Sequence, residues 1–284
     1  LLPSVLNNKK RNYYEQLEYN QVRADMFVDA FIDEIDWKDE VGKLDRISKI
    51  TKQDLVDFAN KFFTDGYAVV YKRQGIDSLQ KKIDKPAITP IQANRDQKSA
   101  FVQAIQDAEV EPIQPQFVDF KKDMTFAKTK KGLPLMYVKN NTNGLFELSY
   151  RFDFGKSADN RYSTAADYFD LLGTDKLSAS ELKPKLYELA CDIDVSVGDD
   201  ETNIYLYGLS ENMQPALELM EDLLQHAKVD KDAYEQMVKK VLKNREDAKK
   251  NQRGYFTRLF AYGIYGERNS AGDVMTAQQL QETD

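Results

Sequence analysis

Histidine and cysteine are almost absent from this sequence: His226 and Cys191 stand alone. One thiol cannot form an intramolecular disulfide, and one imidazole excludes any site that needs two histidines or a four-ligand Cys-His set from this chain. Cys191, followed by Asp192 and a β-branched run, reads as a small core residue. His226 follows Leu219 and Leu223 at helical spacing and reads as the edge of a helix face. Long apolar runs are also missing. None nears the ~20 residues that span a bilayer, and the opening LLPSVLNNKK lacks the charged start and long apolar core of a secretory signal. Basic charge is not in excess: 40 Lys and Arg against 47 Asp and Glu leave a net charge of -7. Its lysine clusters are short, which argues against a general nucleic-acid-binding surface. No phosphate-cradling glycine loop, nucleophile elbow or dinucleotide fingerprint occurs.

What is present fits about two domains, since 284 residues with 42% hydrophobic content can fill two modest cores. Over residues 12–36, Leu17, Ala24, Phe27, Val28, Phe31 and Ile35 share one stripe, which predicts an amphipathic helix buried on one side and closed by Trp37. After Gly42 two short helical pieces follow, the second opened by Thr51 with Asp54 three residues on, a capping-box start. Its apolar face is Leu55, Phe58, Ala59 and Phe62. Asp65-Gly66 then turns the chain into YAVVYKR, a β-branched and aromatic run that predicts a strand. From residue 76 to 120, Pro86, Pro90, Pro112 and Pro115 among many Gln, Lys and Asp predict a linker, helical around Ser99–Ala108.

A second unit opens with the hairpin TFAKTKKGLPLMYVKN, turning at Lys131-Gly132. Asn143-Gly144 leads into LFELSYRFDFG, where Phe146, Leu148, Tyr150 and Phe152 alternate with polar residues as in a half-buried strand. A helix over 163–172 should end at Gly173 as its C-cap. Either Ser178, with Glu181 completing a box, or Ser180 opens the next helix, in which Pro184 sits awkwardly. DIDVSVGDDETNIYLYGL predicts a hairpin. Two helices follow: Met213–Ala227 with Ala216, Leu217, Met220 and Leu224 inward, and Lys231–Lys250 with Tyr234, Val238, Val241 and Leu242 inward. Near the end the chain repeats itself. NQRGYFTRLFAY echoes NQVRADMFVDAFI, and MTAQQL at Met275 matches ITKQDL at Ile50 in order and spacing. Both termini are therefore expected to fall inside larger units, the chain being a piece of a longer protein.

The segments GLPLMYVKN, FELSYRFDFGKSADN, the helix ending in LLGT, LSASELKPKLYELA and IYLYGLSENMQPALELMEDLL together resemble the insulinase-like, or pitrilysin, family of HxxEH-type zinc peptidases. LDRISKITKQDLVDFANKF resembles the close of a preceding domain of that family. The resemblance implies an α+β fold of mostly antiparallel sheets packed with helices. It implies residues 1–75 as the end of one such domain, 76–120 as an interdomain linker, and 121–284 as a non-catalytic, C-terminally incomplete domain. In the family, two related halves close around a peptide and only one carries HxxEH, whose histidines at i and i+4 bind zinc while the glutamate activates the bound water. Counted back from Gly173, that motif falls on Thr164, Ala165, Ala166, Asp167 and Tyr168. Thr164, Asp167 and Tyr168 stand where ligands and base would be, so no catalytic and no metal residue carries over. The third ligand would belong on the 231–250 helix, where lysines dominate beside Glu235 and Glu246.

By resemblance this is the inactive half of a zinc peptidase, closing the chamber and helping to bind a peptide substrate. Its partner would be the catalytic half of the same chain or a homologous subunit. No cofactor is expected in this piece; zinc belongs to the N-terminal half of the parent. An extracytoplasmic bacterial location, periplasm or cell envelope, is implied in the same way. The alternative is a structural or regulatory non-catalytic partner of an active peptidase subunit. Substrate-contact residues are not legible. The remaining features have plainer readings: Asp167, Asp170 and Asp175 as solvent-facing charges, Tyr255, Phe256, Phe260, Tyr262 and Tyr265 as the packed side of an amphipathic helix, and KKVLKNREDAKKN as a solvated face. Asn140-Asn141-Thr142 is a weak glycosylation sequon.

Overall fold

The structure, a computed structural model, describes residues 2–75, 84–91, 93, 95–268, 272 and 274–283. It divides into two compact units, Leu1–Ala59 with Asn140–Asp284, and Asn60–Lys139. Its sheets are antiparallel and its remaining regular structure is helical, an α+β architecture.

The first unit begins with α1 (Leu2–Leu17), α2 (Asn20–Ile32), α3 (Trp37–Val41) and α4 (Lys43–Ile47). The single helix expected across 12–36 is two, because Tyr19 is extended at φ -93°, ψ 118°. The stripe expected to be buried is open: Phe27, Val28 and Ile35 are exposed and Phe31 is 85% exposed. Periodicity identifies the apolar face of a helix but not whether another element covers it. Trp37 does stack on Phe27, with ring centroids 4.1 Å apart. Helix α5 (Lys52–Phe62), within which the unit boundary falls, starts at the expected box. The Thr51 amide donates to Asp54 Oδ2 at 2.8 Å, and the Asp54 amide to Thr51 Oγ1 at 3.2 Å.

The second unit holds α6 (Ala100–Asp107), α7 (Phe120–Asp123), β1 (Thr125–Lys128) and β2 (Pro134–Tyr137). Ser99 caps α6 by accepting from the Val102 amide at 3.2 Å, and β1 pairs with β2 as the expected hairpin. The strand expected at 67–73 is absent: among the described residues this run joins no ladder. Strand propensity describes side chains suited to a sheet, and a strand forms only where an edge is available. Part of the expected linker, residues 76–83, 92 and 94, lies outside the described residues.

The rest of the first unit runs β3 (Leu145–Phe152), α8 (Arg161–Phe169), β4 (Gly173–Thr174), α9 (Ala179–Leu189), β5 (Cys191–Val197), β6 (Thr202–Leu209), α10 (Met213–His226), β7 (Ala227–Lys228), α11 (Lys231–Ala248), α12 (Gln252–Tyr265) and α13 (Ala277–Glu282). Its sheet has the order β3-β6-β5, with Tyr150 opposite Ile204 and Ile193 opposite Leu206. One face carries Phe146, Leu148, Tyr150 and Ile204 around Cys191 and Leu206. Helix α10 contributes Ala216 and Met220, both 0% exposed. Each large apolar side chain so buried is worth roughly 1.5–3 kcal/mol relative to solvent. Tyr14 of α1 packs at the sheet end on Leu145, Ala190 and Leu209, and Arg11 Nη1 reaches Asp192 Oδ2 at 2.6 Å.

Ser178 and not Ser180 opens α9. Its amide and hydroxyl both donate to Glu181 Oε2, at 2.9 and 2.7 Å, and Pro184 is accommodated inside the helix. Asn140 of the sequon serves a turn, its side-chain oxygen accepting from the Thr142 amide at 2.9 Å. The aromatic side of α12 is exposed at Tyr255, Phe256, Phe260, Tyr262 and Tyr265, contrary to the packed face expected, for the same reason as in α2.

Candidate functional site

The stretch from β3 to β4 builds the site. Leaving β3, the chain is fastened to the β5–β6 loop: the Lys156 amide donates to the Gly198 carbonyl at 3.0 Å and the Ser157 amide to that of Asp199 at 2.9 Å. Thr202 Oγ1 donates to the Phe154 carbonyl at 2.9 Å. Gly155 is required by this closeness. A Cβ there would stand 2.6 Å from the Asp199 carbonyl oxygen and nearer still to that of Gly198. Helix α8 therefore leaves the sheet at a fixed place.

The helix ends earlier than expected. Asp170 is its C-cap, and Gly173, read from sequence as that cap, instead begins β4 and pairs with Lys228 while Thr174 pairs with Ala227. Gly173 is needed for close approach, since a Cβ would lie 2.6 Å from the Leu177 carbonyl oxygen. Thr174 Oγ1 accepts from the amides of Lys176 and Leu177, each at 3.1 Å, fixing the turn into α9.

This geometry sets α8 against α11. The Tyr168 hydroxyl donates to the Asp230 carbonyl at 2.7 Å and accepts from the Asp230 amide at 2.8 Å. Its ring meets that of Tyr234 edge-on, 5.4 Å between centroids at 89°. Asp230 is the N-cap of α11, accepting from the Ala233 amide at 3.0 Å. Helix α13 closes the third side: its own box, Thr276 with Gln279, sets its start, the Tyr234 hydroxyl donates to the Leu280 carbonyl at 3.0 Å, and Arg245 donates to that of Met275 at 2.7 Å. Between the three helices lies a cavity of about 740 Å³. Thr164, Tyr168, Tyr234, Val238 and Leu280 line it, and Val238, Met275 and Leu280 form its buried floor.

Thr164 and Tyr168, one helical turn apart, thus share the cavity wall, together with Glu235 of α11. Asp167 does not: it is exposed and off the cavity, as are Asp170 and Asp175. Among the described residues no three His, Cys, Asp or Glu side chains converge. A zinc ion does not fit the residues at these positions. A threonine hydroxyl and a tyrosine hydroxyl already committed to the Asp230 backbone cannot replace two neutral imidazoles, and the carboxylate that would act as base points elsewhere.

The other titratable groups of note lie apart from this wall. His226 Nδ1 is 3.1 Å from Asp222 Oδ1, an oxygen that Lys176 Nζ also reaches at 2.7 Å. Lys176 is the main reason the Asp222 carboxyl is held below its ordinary range. Cys191 is 0% exposed, and burial pushes its thiol up to about 11, so it is a packing residue and not a nucleophile. Tyr150 donates to Glu221 beside the core. Burial first, and that carboxylate second, raise its hydroxyl to about 12. Sequence reasoning missed the clasp of Tyr168 on Asp230. The N-cap character of Asp230 was readable, but no local signal pairs it with a side chain 62 residues away.

No protein-family model and no curated protein matches the chain. Solved structures with a similar fold include a peptidase M16 inactive domain from Pseudomonas fluorescens, at 18% identity over 56% of this chain and 42% of that one, with a TM-score of 0.48. A protease from Helicobacter pylori is similar at 14% identity over 57% of this chain and 40% of that one, TM-score 0.46. The periplasmic protease PqqL from Escherichia coli is similar at 12% identity over 98% of this chain and 33% of that one, TM-score 0.48. The chain spans less than half the length of each of these proteins.

Proposed function

We propose that this chain is part of the non-catalytic half of an insulinase-like zinc peptidase, in which residues 121–284 form the incomplete inactive domain that encloses the chamber and helps to hold a peptide. The observation that carries the reading is the wall formed by α8. Thr164 and Tyr168 occupy, at helical spacing and facing α11, the positions where the family motif places its two histidines. Where a metal would tie α8 to the downstream helix, the hydroxyl of Tyr168 ties it to the Asp230 backbone. The scaffold of a metal site is thereby kept with hydrogen bonds in place of metal ligation. Peptide hydrolysis by the parent, pairing with its catalytic half and an extracytoplasmic location belong to the same proposal and rest on the sequence resemblance.

Two measurements test it. Titrated with zinc, the 284-residue chain should show no stoichiometric, chelator-sensitive binding. The full-length parent should cleave a mixed peptide pool and lose that activity with a chelator. Zinc bound by this chain at one equivalent would overturn the assignment to the inactive half, and a parent that cleaves nothing under any metal condition would overturn the peptidase.

A further inference from the structure

We propose that the cavity between α8, α11 and α13 is a recognition pocket for a large apolar or aromatic side chain flanked by acidic residues, in an extended peptide. This deepens, and rests on, the peptide-holding role above. At about 740 Å³ the cavity lies in the size range of ligand sites, roughly 300–1,000 Å³, and has room for more than one large side chain. Its floor is apolar: Val238, Met275 and Leu280 are buried there, and the rings of Tyr168 and Tyr234 stand at its wall. Both tyrosine hydroxyls are already engaged with backbone groups, so what these residues offer a ligand is ring surface.

The rim carries charge of one predominant sign. Arg161, Lys231 and Lys239 line the cavity against a single carboxylate, Glu235. Lys231, Glu235 and Lys239 follow at i, i+4 and i+8 along α11, yet neither lysine has a carboxylate within ion-pair distance among the described residues. Arg161 is already held by Asp159, at 2.8 Å from Nε to Oδ2, so the two lysines are the groups open to a new anion. An apolar floor under a cationic rim selects an apolar side chain with carboxylates beside it and disfavours the same side chain among lysines. On a protein with a net charge of -7, this rim is a local reversal of sign.

The test uses the 284-residue chain and two fluorescein-labelled peptides, Gly-Glu-Phe-Glu-Gly and Gly-Lys-Phe-Lys-Gly, with binding followed by fluorescence polarisation. The acidic peptide should bind at least tenfold more tightly and weaken as salt rises. Ala165→Trp, which fills the cavity from the exposed side of α8, should cut that affinity at least tenfold. Lys239→Glu should abolish the preference between peptides, and Lys183→Glu, away from the cavity, should leave it intact. Equal binding of the two peptides, no binding of either, or undiminished binding by Ala165→Trp would overturn the pocket. The zinc titration separates this outcome from the larger reading. A chain that binds no zinc and shows no preference remains an inactive half without this pocket, whereas stoichiometric zinc binding removes the inactive-half assignment whatever the peptides do.

Discussion

Tyr168→Phe deletes one oxygen and with it both hydrogen bonds to Asp230, at 2.7 and 2.8 Å, while leaving the ring against Tyr234. Each such bond contributes a net of roughly 0.5–1.5 kcal/mol. The bonds lie near the surface, where water can replace part of the loss, so the expected cost is about 1–2 kcal/mol. Tyr168→Ala also removes the ring, its edge contact and its burial, and should cost about 3–5 kcal/mol, as large aromatic truncations do. Asp230→Asn should be nearly silent, because the bonds are to the backbone and asparagine caps a helix about as well as aspartate. Urea unfolding followed by far-UV circular dichroism reads all three as shifts in midpoint at constant slope. If Tyr168→Phe unfolds within ~0.3 kcal/mol of the parent chain, below the worth of even one such bond, the hydroxyl does not tie α8 to α11. The idea that it takes the place of a metal bridge then fails.

Three further outcomes are expected. The triple variant Thr164→His, Asp167→Glu, Tyr168→His should acquire chelator-sensitive zinc binding, since it sets two imidazoles at i and i+4 on the wall shared with Glu235; calorimetry showing no more binding than the unsubstituted 284-residue chain would refute the claim that the scaffold is kept. Gly155→Ala should cost about 2–3 kcal/mol in urea unfolding, because its methyl group meets the Gly198 and Asp199 carbonyls of a loop bonded to the same segment; an unchanged midpoint would refute that. Cys191 should resist thiol-specific reagents at pH 8 until the chain unfolds. Its thiol is raised from 9.0 to about 11, so the folded state holds a proton that the unfolded state has lost. Stability should therefore fall as pH rises from about 9 toward 11, and rapid labelling of the native chain at pH 8 would show the thiol to be accessible.

What could be read directly from the sequence was what lies within a few residues of itself. The boxes at Thr51 and Asp54 and at Thr276 and Gln279 each satisfy backbone amides three positions away, so residue type and spacing suffice; at α9 the sequence left Ser178 and Ser180 open, and the bonds to Glu181 decided for Ser178. The same holds for the β5–β6 hairpin and for the exclusion of a two-histidine site, which needs only a count. The α+β class was implied by the family resemblance that these segments carry, and the antiparallel sheets with helices agree with it. Long-range pairing decided the rest. Gly173 became a strand residue because Lys228 lies beside it; residues 67–73, with equally suitable side chains, meet no edge among the described residues. The apolar stripes of α2 and α11 look alike in sequence, yet one is exposed and the other forms a cavity floor, because only α11 is met by α8 and α13. Thr164 and Tyr168 were placed on one face by helical spacing. That Tyr168 holds the neighbouring helix depends on a contact across 62 residues of chain, and that a cavity opens beside it depends also on contacts across 46 and 30 residues, where a sequence pattern carries no register.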